Sequence, residues 1–254
     1  MDKFFIRFCL QRSQGTFGND FPYDHFMDGA KEEFAGFIEE CEAWVDKQAD
    51  EIVSQMDLSK LHSKKVMFLG DSLTADRFSY RAIITKAAYL TAYNGAISSS
   101  VSTDMLRCLR DNLLGFKPDI ISIMTGTNDS LFIDDGINLV SRDEYRRNLD
   151  ALVTIGKKAG AEVILSTIPP VVEERIKMAT KTNNNGNITD YCWIIREVSE
   201  KHGIILNDFS KEAEKLSAEK IIETDGVHLT PYGQKAFAEC WLKTIMNNFK
   251  QSEE

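Results

Sequence analysis

From Lys64 onward the chain alternates short apolar runs with segments of helical periodicity, and this alternation restricts the fold more than any other feature. Residues 66–69, 89–93, 120–124, 163–167 and 204–206 read as strands. Residues 76–86, 103–113, 142–158, 189–201 and 231–249 repeat apolar positions at the spacing of a helix face. Continuous apolar strands separated by helices predict an α/β domain whose parallel sheet is covered on both faces. In such a sheet ligands bind beyond the carboxyl ends of the strands, so residues that follow apolar runs are the first place to look for chemistry.

Residues 1–62 precede this pattern and read as an N-terminal extension to a second unit, residues 63–250. Between residues 30 and 56, Phe34, Phe37, Ile38, Cys41, Trp44, Val45, Ile52 and Met56 mark one face of a long amphipathic helix, opposite Glu32, Glu33, Glu39, Glu40, Asp46, Asp50 and Glu51. The expected role is a solvated helix packed on the second unit. Gly15, Gly18, Asn19, Asp20, Pro22 and Asp28 predict an irregular segment before it. Residues 1–10 are apolar enough to suggest a signal peptide, but Arg7 interrupts the run and no small-residue cleavage site follows. They are expected to be a strand or packing segment.

Composition narrows the function classes. A formal charge of -9 offers no basic stripe for nucleic acid. No run approaches the roughly 18 apolar residues of a membrane span. The five cysteines, Cys9, Cys41, Cys108, Cys192 and Cys240, form no CxxC pair, so neither zinc nor dithiol chemistry is indicated. Reduced thiols in a cytoplasmic protein are the expectation. Asp134-Asp135 lacks the spacing of a calcium loop, and no metal or cofactor is expected.

Three segments carry side chains suited to acyl transfer. Gly70-Asp71-Ser72 ends the first apolar run, which is how a strand delivers a hydroxyl to the rim of a sheet. A serine needs an adjacent base to become nucleophilic. Of four histidines, His228 has the best context, because Asp225 lies three residues before it and can hold its tautomer. The predicted catalytic set is Ser72, His228 and Asp225. The developing oxyanion needs donors. The Ser72 backbone N–H and the Asn128 side chain, in Gly126-Thr127-Asn128-Asp129, are two candidates, and the N–H of Gly95, in Asn94-Gly95-Ala96-Ile97-Ser98-Ser99, is the third. The Gly-x-Ser-x-Gly elbow of the common α/β-hydrolases is not matched, since Thr74 stands at its second glycine.

These blocks, in this order, resemble the SGNH/GDSL hydrolase superfamily over about residues 64–249. Gly70-Asp71-Ser72 matches its nucleophile block, Gly126-Thr127-Asn128-Asp129 its Gly-x-Asn-Asp block, and Asp225 with His228 its Asp-x-x-His block. The glycine block departs from the family pattern Asn-x-Gly-Ile-Ser-Gly, and alignment on Ile97-Ser98 moves the oxyanion donor from Gly95 to Ala96. The resemblance implies a flavodoxin-like α/β/α domain with five parallel strands, a shallow site, and cofactor-free ester hydrolysis through an acyl-enzyme. Its substrates range over acetylated carbohydrates, lysophospholipids, thioesters and aryl esters.

Two long segments, residues 131–140 and 169–188, are expected to be loops that shape substrate access. Their Asn and Asp content, including Asn183-Asn184-Asn185-Gly186-Asn187 as a flexible tip, favours a hydroxylated ligand. The expected reaction is therefore hydrolysis of short-chain, acetyl esters on a carbohydrate-like small molecule. A lipid acylhydrolase, acyl transfer to another alcohol, and a non-catalytic carbohydrate-binding module of the same fold are the competing readings.

Overall fold

In the computed structural model the described residues are 7, 23–134, 136–176 and 183–248, with residues 23–34 given as helical path only. In chain order the strands are β1 (Lys65–Gly70), β2 (Thr91–Asn94), β3 (Ile120–Met124), the short β4 (Phe132–Asp134) and β5 (Ile137–Asn138), then β6 (Glu162–Ser166) and β7 (Ile205–Asn207). Five of them form one parallel sheet in the order β2-β1-β3-β6-β7, with Val66 opposite Ile120 and Ile121 opposite Val163. This is the flavodoxin-like order, one strand to one side of the first and three to the other. The central strands β1 and β3 are buried along nearly their whole length, as unbroken apolar runs require when helices cover both faces.

The helices are α1 (Tyr23–Val53), α2 (Ser72–Ala75), α3 (Tyr80–Ala87), α4 (Ser102–Phe116), α5 (Arg142–Lys158), α6 (Asn185–His202), α7 (Phe209–Ala213), α8 (Ala218–Ile221) and α9 (Pro231–Asn248). They divide into two layers: α1, α3 and α9 pack together, and α5 packs against both α4 and α6. Alternation along the strands feeds both layers. Phe68 meets Trp241 of α9, whose indole N–H donates to the buried Ser122 hydroxyl at 3.0 Å. On the opposite face Ile121 and Val163 approach Gly156 of α5 so closely that a Cβ there would lie 2.7 Å from Val163. That side chain of zero length is what lets α5 rest on the sheet.

The N-terminal helix shares this core. Val45, Ala49 and Ile52 join the same apolar cluster as the sheet, and Trp44 packs edge-on against Phe78 at 5.3 Å. Two carboxylates of its acidic face are paired, Asp46 with Lys86 and Glu51 with Lys235. The helix begins at Tyr23, so residues 23–28 are helical rather than irregular as expected. Residues 1–6, 8–10 and 15–22, including Cys9, lie outside the described residues.

Two further expectations need correction. The helix expected over 76–86 starts only at Tyr80, because Asp76 folds its carboxylate onto the Phe78 N–H and Ser79 caps α3 by accepting from the Ala82 N–H. The segment 131–140 holds a β-hairpin rather than a plain loop, since β4 and β5 pair antiparallel there. Among the described residues no helix is long and apolar enough to cross a membrane.

Candidate active site

Ser72 is the first residue of α2, immediately beyond the carboxyl end of the central strand β1. Asp71 caps this helix, accepting from the Leu73 N–H at 3.0 Å. The turn is tight: a Cβ on Gly70 would fall 2.0 Å from the Thr74 hydroxyl oxygen, so only glycine fits before the Asp-Ser pair.

Asp225 and His228 come from the loop between α8 and α9, which folds back onto itself. Glu223 N–H donates to the His228 carbonyl at 2.7 Å, and Ile222 bridges Leu229. Gly226 sits at φ 81°, in the left-handed region, and a side chain there would meet the Val172 carbonyl at 2.5 Å. The Val172 N–H in turn donates to the Gly226 carbonyl at 2.8 Å, and Arg175 donates to the Ile222 carbonyl at 3.0 Å. The segment after β6 therefore braces the histidine loop.

The result is a continuous chain of contacts. His228 Nε2 lies 2.8 Å from Ser72 Oγ, across 156 residues of sequence, and His228 Nδ1 lies 2.5 Å from Asp225 Oδ2. Asp225 Oδ1 accepts from the backbone N–H groups of Val227 at 2.9 Å and His228 at 3.0 Å. Burial alone would push the Asp225 carboxyl up, but the His228 contact and these N–H groups outweigh it and bring its pKa to about 2. An ionised carboxylate only accepts, so in the neutral imidazole Nδ1 carries the hydrogen and Nε2 is left to accept from the Ser72 hydroxyl.

Asn128 stands opposite, after β3. Its side-chain Nδ2 donates to the Ser100 carbonyl at 2.9 Å. The neighbouring Asp129 is buried, accepts from the Ser102 N–H at 2.9 Å and the Thr125 hydroxyl at 3.2 Å, and so closes the N-terminus of α4, where Val101 has no side-chain acceptor to offer. Burial raises the Asp129 pKa. This carboxylate ties the Asn128 turn to the first residue of α4, a role the sequence did not disclose.

Gly95 is not the donor expected. Its N–H donates to the Phe68 carbonyl at 2.8 Å, and a Cβ would strike Leu69 at 2.7 Å and Cys108 at 2.9 Å. It is a packing glycine that continues the β1–β2 ladder. The alternative, Ala96, donates to the Asn94 side chain at 3.2 Å. Further along, the Ile97 N–H and the Ser100 hydroxyl both donate to the Gly70 carbonyl, at 3.1 and 3.2 Å, drawing this segment against the Ser72 turn. Ser99, between them, is exposed at φ 64°, and its N–H has no acceptor among the described residues.

The asparagine run is not a free tip either. Asn184 caps α6, Asn183 donates to the Thr127 carbonyl at 3.0 Å, Asn185 exchanges two hydrogen bonds with the Val171 backbone, and Asn187 bonds the Ser130 carbonyl. Asn183 and Asn187 thus hold the Asn128 turn in place, while Asn184 and Asn185 satisfy backbone groups of α6 and Val171. Among the described residues no group of three or more His, Cys, Asp or Glu could hold a metal ion.

Residues 68–236 match the GDSL-like Lipase/Acylhydrolase family. The chain belongs to that family. A curated relative, the uncharacterized lipoprotein YqeF of Bacillus subtilis (strain 168), is 27% identical over 173 residues, covering 59% of this chain and 71% of its own. Among solved structures, the lipase/acylhydrolase of Enterococcus faecalis superposes with a TM-score of 0.63 at 20% identity, over 75% of this chain and 100% of its own. The acetylxylan esterase Axe2 of Geobacillus stearothermophilus, as a catalytic mutant, gives 0.59 at 23% identity over 76% and 100%. Membership in this acylhydrolase family supports a general esterase activity, and the solved neighbours share its fold.

Proposed function

We propose that the chain is a serine esterase in which Ser72 is the nucleophile, His228 the general base and then acid, and Asp225 the residue that fixes the imidazole. The observation that carries this reading is the Ser72 Oγ–His228 Nε2 distance of 2.8 Å, with the ring's other nitrogen on an ionised Asp225. Further support comes from Axe2, whose catalytic mutants include one at an aspartate and one at a histidine three positions later, the spacing of Asp225 and His228.

As Ser72 Oγ attacks the ester carbonyl carbon, its proton passes to His228 Nε2 and the imidazolium is stabilised by Asp225. The carbonyl oxygen gains the negative charge and needs donors. The Ser72 N–H, an orphan at the start of α2, and the second Nδ2 hydrogen of Asn128 serve as two of them. The Ser99 N–H takes the place expected of Gly95. Collapse of the tetrahedral species breaks the bond to the leaving alcohol, which takes the proton from Nε2. Water, deprotonated by the same nitrogen, then adds to the acyl carbon, and the bond to Ser72 Oγ breaks as Oγ takes the proton back from Nε2 and the acid leaves.

For substrate we retain short acyl groups on a carbohydrate-like alcohol, now supported by the acetylxylan esterase neighbours rather than by the asparagine loops. A second reading has an observation of its own: Ile133, Ile137 and Leu139 are exposed on the β4–β5 hairpin that follows the Asn128 turn, an apolar edge suited to a longer chain. A series of p-nitrophenyl esters from acetate to palmitate decides between them, with rates expected to fall beyond butyrate. Ser72→Ala is expected to abolish both turnover and fluorophosphonate labelling; retained labelling would reassign the nucleophile, and absence of both in the parent protein would favour a binding module. Added xylose or glycerol as acceptor separates hydrolysis from acyl transfer. On compartment, the free thiols Cys41, Cys108, Cys192 and Cys240 suit the reducing cytoplasm, whereas the Bacillus relative is a lipoprotein, and cell fractionation is the test.

A further inference from the structure

Arg7 belongs to the extension outside the family match, yet it is buried in the catalytic domain at 8% exposure. Its guanidinium forms a fork on Asp76, with Nε to Oδ1 at 2.8 Å and Nη2 to Oδ2 at 2.7 Å. The same Nη2 donates to the Leu229 carbonyl at 2.7 Å, while Nη1 bonds the Glu223 carboxylate. The plane lies over the Phe78 ring, 4.9 Å from its centroid.

What matters is where these acceptors sit. Asp76 caps the carboxyl end of α2, the single-turn helix that begins at Ser72. Its Oδ2 is also held by Gln234 of α9, whose amide bonds the Leu73 carbonyl as well. Glu223 and Leu229 flank the Asp225–His228 turn on either side, and the Glu223 N–H grips the His228 carbonyl at 2.7 Å. One cation thus spans the nucleophile's helix and both feet of the loop carrying acid and base. These two segments share no strand pairing, and α2 is too short to fix its own orientation.

We propose that Arg7 is a positioning residue for the reaction, clamping the Ser72 turn to the His228 loop and thereby setting the Ser72–His228 separation. The proposal rests on the triad reading above. A planar, always-charged fork suits the task, because it satisfies a carboxylate bidentately and still has donors for two more acceptors. Lysine, a point charge with no fork, cannot hold all three. An ångström of misplacement between reacting groups is worth up to about 10² in rate.

The test uses the full chain, with Arg7→Ala, Arg7→Lys and Glu223→Ala compared on p-nitrophenyl acetate. Arg7→Ala is expected to lower kcat about 10- to 100-fold with KM within about twofold. Arg7→Lys should recover part of that loss. Glu223→Ala, which removes one arm of the clamp from a partly exposed position, should give a smaller fall in kcat at wild-type melting temperature. The downfield proton NMR signal of the His228 Nδ1 hydrogen should shift or broaden in the Arg7 variants. Were Arg7→Ala to melt earlier yet keep wild-type kcat in its folded fraction, Arg7 would be a structural tie only and the proposal would be wrong. Were Arg7→Ala not to fold, an unchanged kcat in Glu223→Ala would overturn it equally. Ser72→Ala separates the two levels: activity surviving there defeats the triad reading, whereas a dead Ser72→Ala beside fully active Arg7 variants defeats the clamp alone.

Discussion

On one side of Ser72 the proposed site is made of side chains, His228 and Asp225; on the other, along residues 94–100, it is made of backbone. The two are held differently. The histidine loop is closed by its own carboxylate, a left-handed Gly226 and bonds from Arg175 and Val172. The 94–100 segment is held as an extension of the sheet, through Gly95 to Phe68 and Ile97 to Gly70. A proton relay requires groups that titrate, so its residues are specified by type. An oxyanion donor requires only an N–H in a given orientation, so the fold specifies it and the residue type does not.

Replacing His228 with alanine tests the first side and carries the largest expected effect. With the base gone, kcat should drop by roughly 10⁴-fold or more, leaving the residual rate supplied by the donors. A loss below about 10²-fold would mean the proton leaves Ser72 by another route. Asn128→Ala tests the second side and should cost about 10²–10³ in kcat with little change in KM. If KM rose instead while kcat held, Asn128 would bind ground-state substrate equally well, and the proposed division of labour would fail.

That division also explains what could be read in the sequence. Ser72, Asp225 and His228 stand in short blocks whose chemistry needs those side chains, and the five sheet strands announce themselves as apolar runs. The proposed third donor carries no such signal. Gly95 looked right because glycine permits close approach, and it does approach closely, but to Leu69 and Cys108 rather than to a substrate. The asparagine run misled for a related reason: polarity alone cannot distinguish an amide that meets a ligand from one that satisfies a neighbouring backbone carbonyl, as Asn183 does for Thr127. Arg7 lay in a segment where it merely broke an apolar run, and nothing local reveals a partner 69 residues away.

Two aspartates, Asp225 in the proposed catalytic set and Asp71 beside Ser72, provide a further comparison, through pH. Asp225 is held down at about 2, so its contribution to stability is present above its ordinary pKa of 3.8 and is lost as pH falls through about 2. Asp71 is opposite. Burial, opposed by the Leu73 N–H, pushes it up to about 7, and its Oδ2 has no hydrogen-bond partner among the described residues. Between its ordinary 3.8 and about 7 the folded chain holds a proton that the unfolded chain releases, so folding stability declines as pH rises through this window. Asp71→Asn should flatten that decline. Denaturant midpoints for both proteins from pH 4 to 8 should diverge in favour of the amide as pH increases; parallel curves would show that the carboxyl is ionised throughout.

The smallest effect separates the two candidate donors most cleanly. Gly95→Ala must displace Leu69 or Cys108 and should destabilise the fold by about 1–3 kcal/mol, with kcat in the folded protein little changed because the Gly95 N–H is already bonded to Phe68. Ser99→Gly keeps the N–H and relieves a side chain held at φ 64°. It should leave kcat within about twofold and alter stability by less than about 1 kcal/mol. If Ser99→Gly instead lost activity by an order of magnitude at unchanged stability, the hydroxyl and not the amide of Ser99 would be the group that meets the substrate. The backbone side of the site would then contain a side chain after all, and the rule that residue type is free there would fall at the one position where it matters.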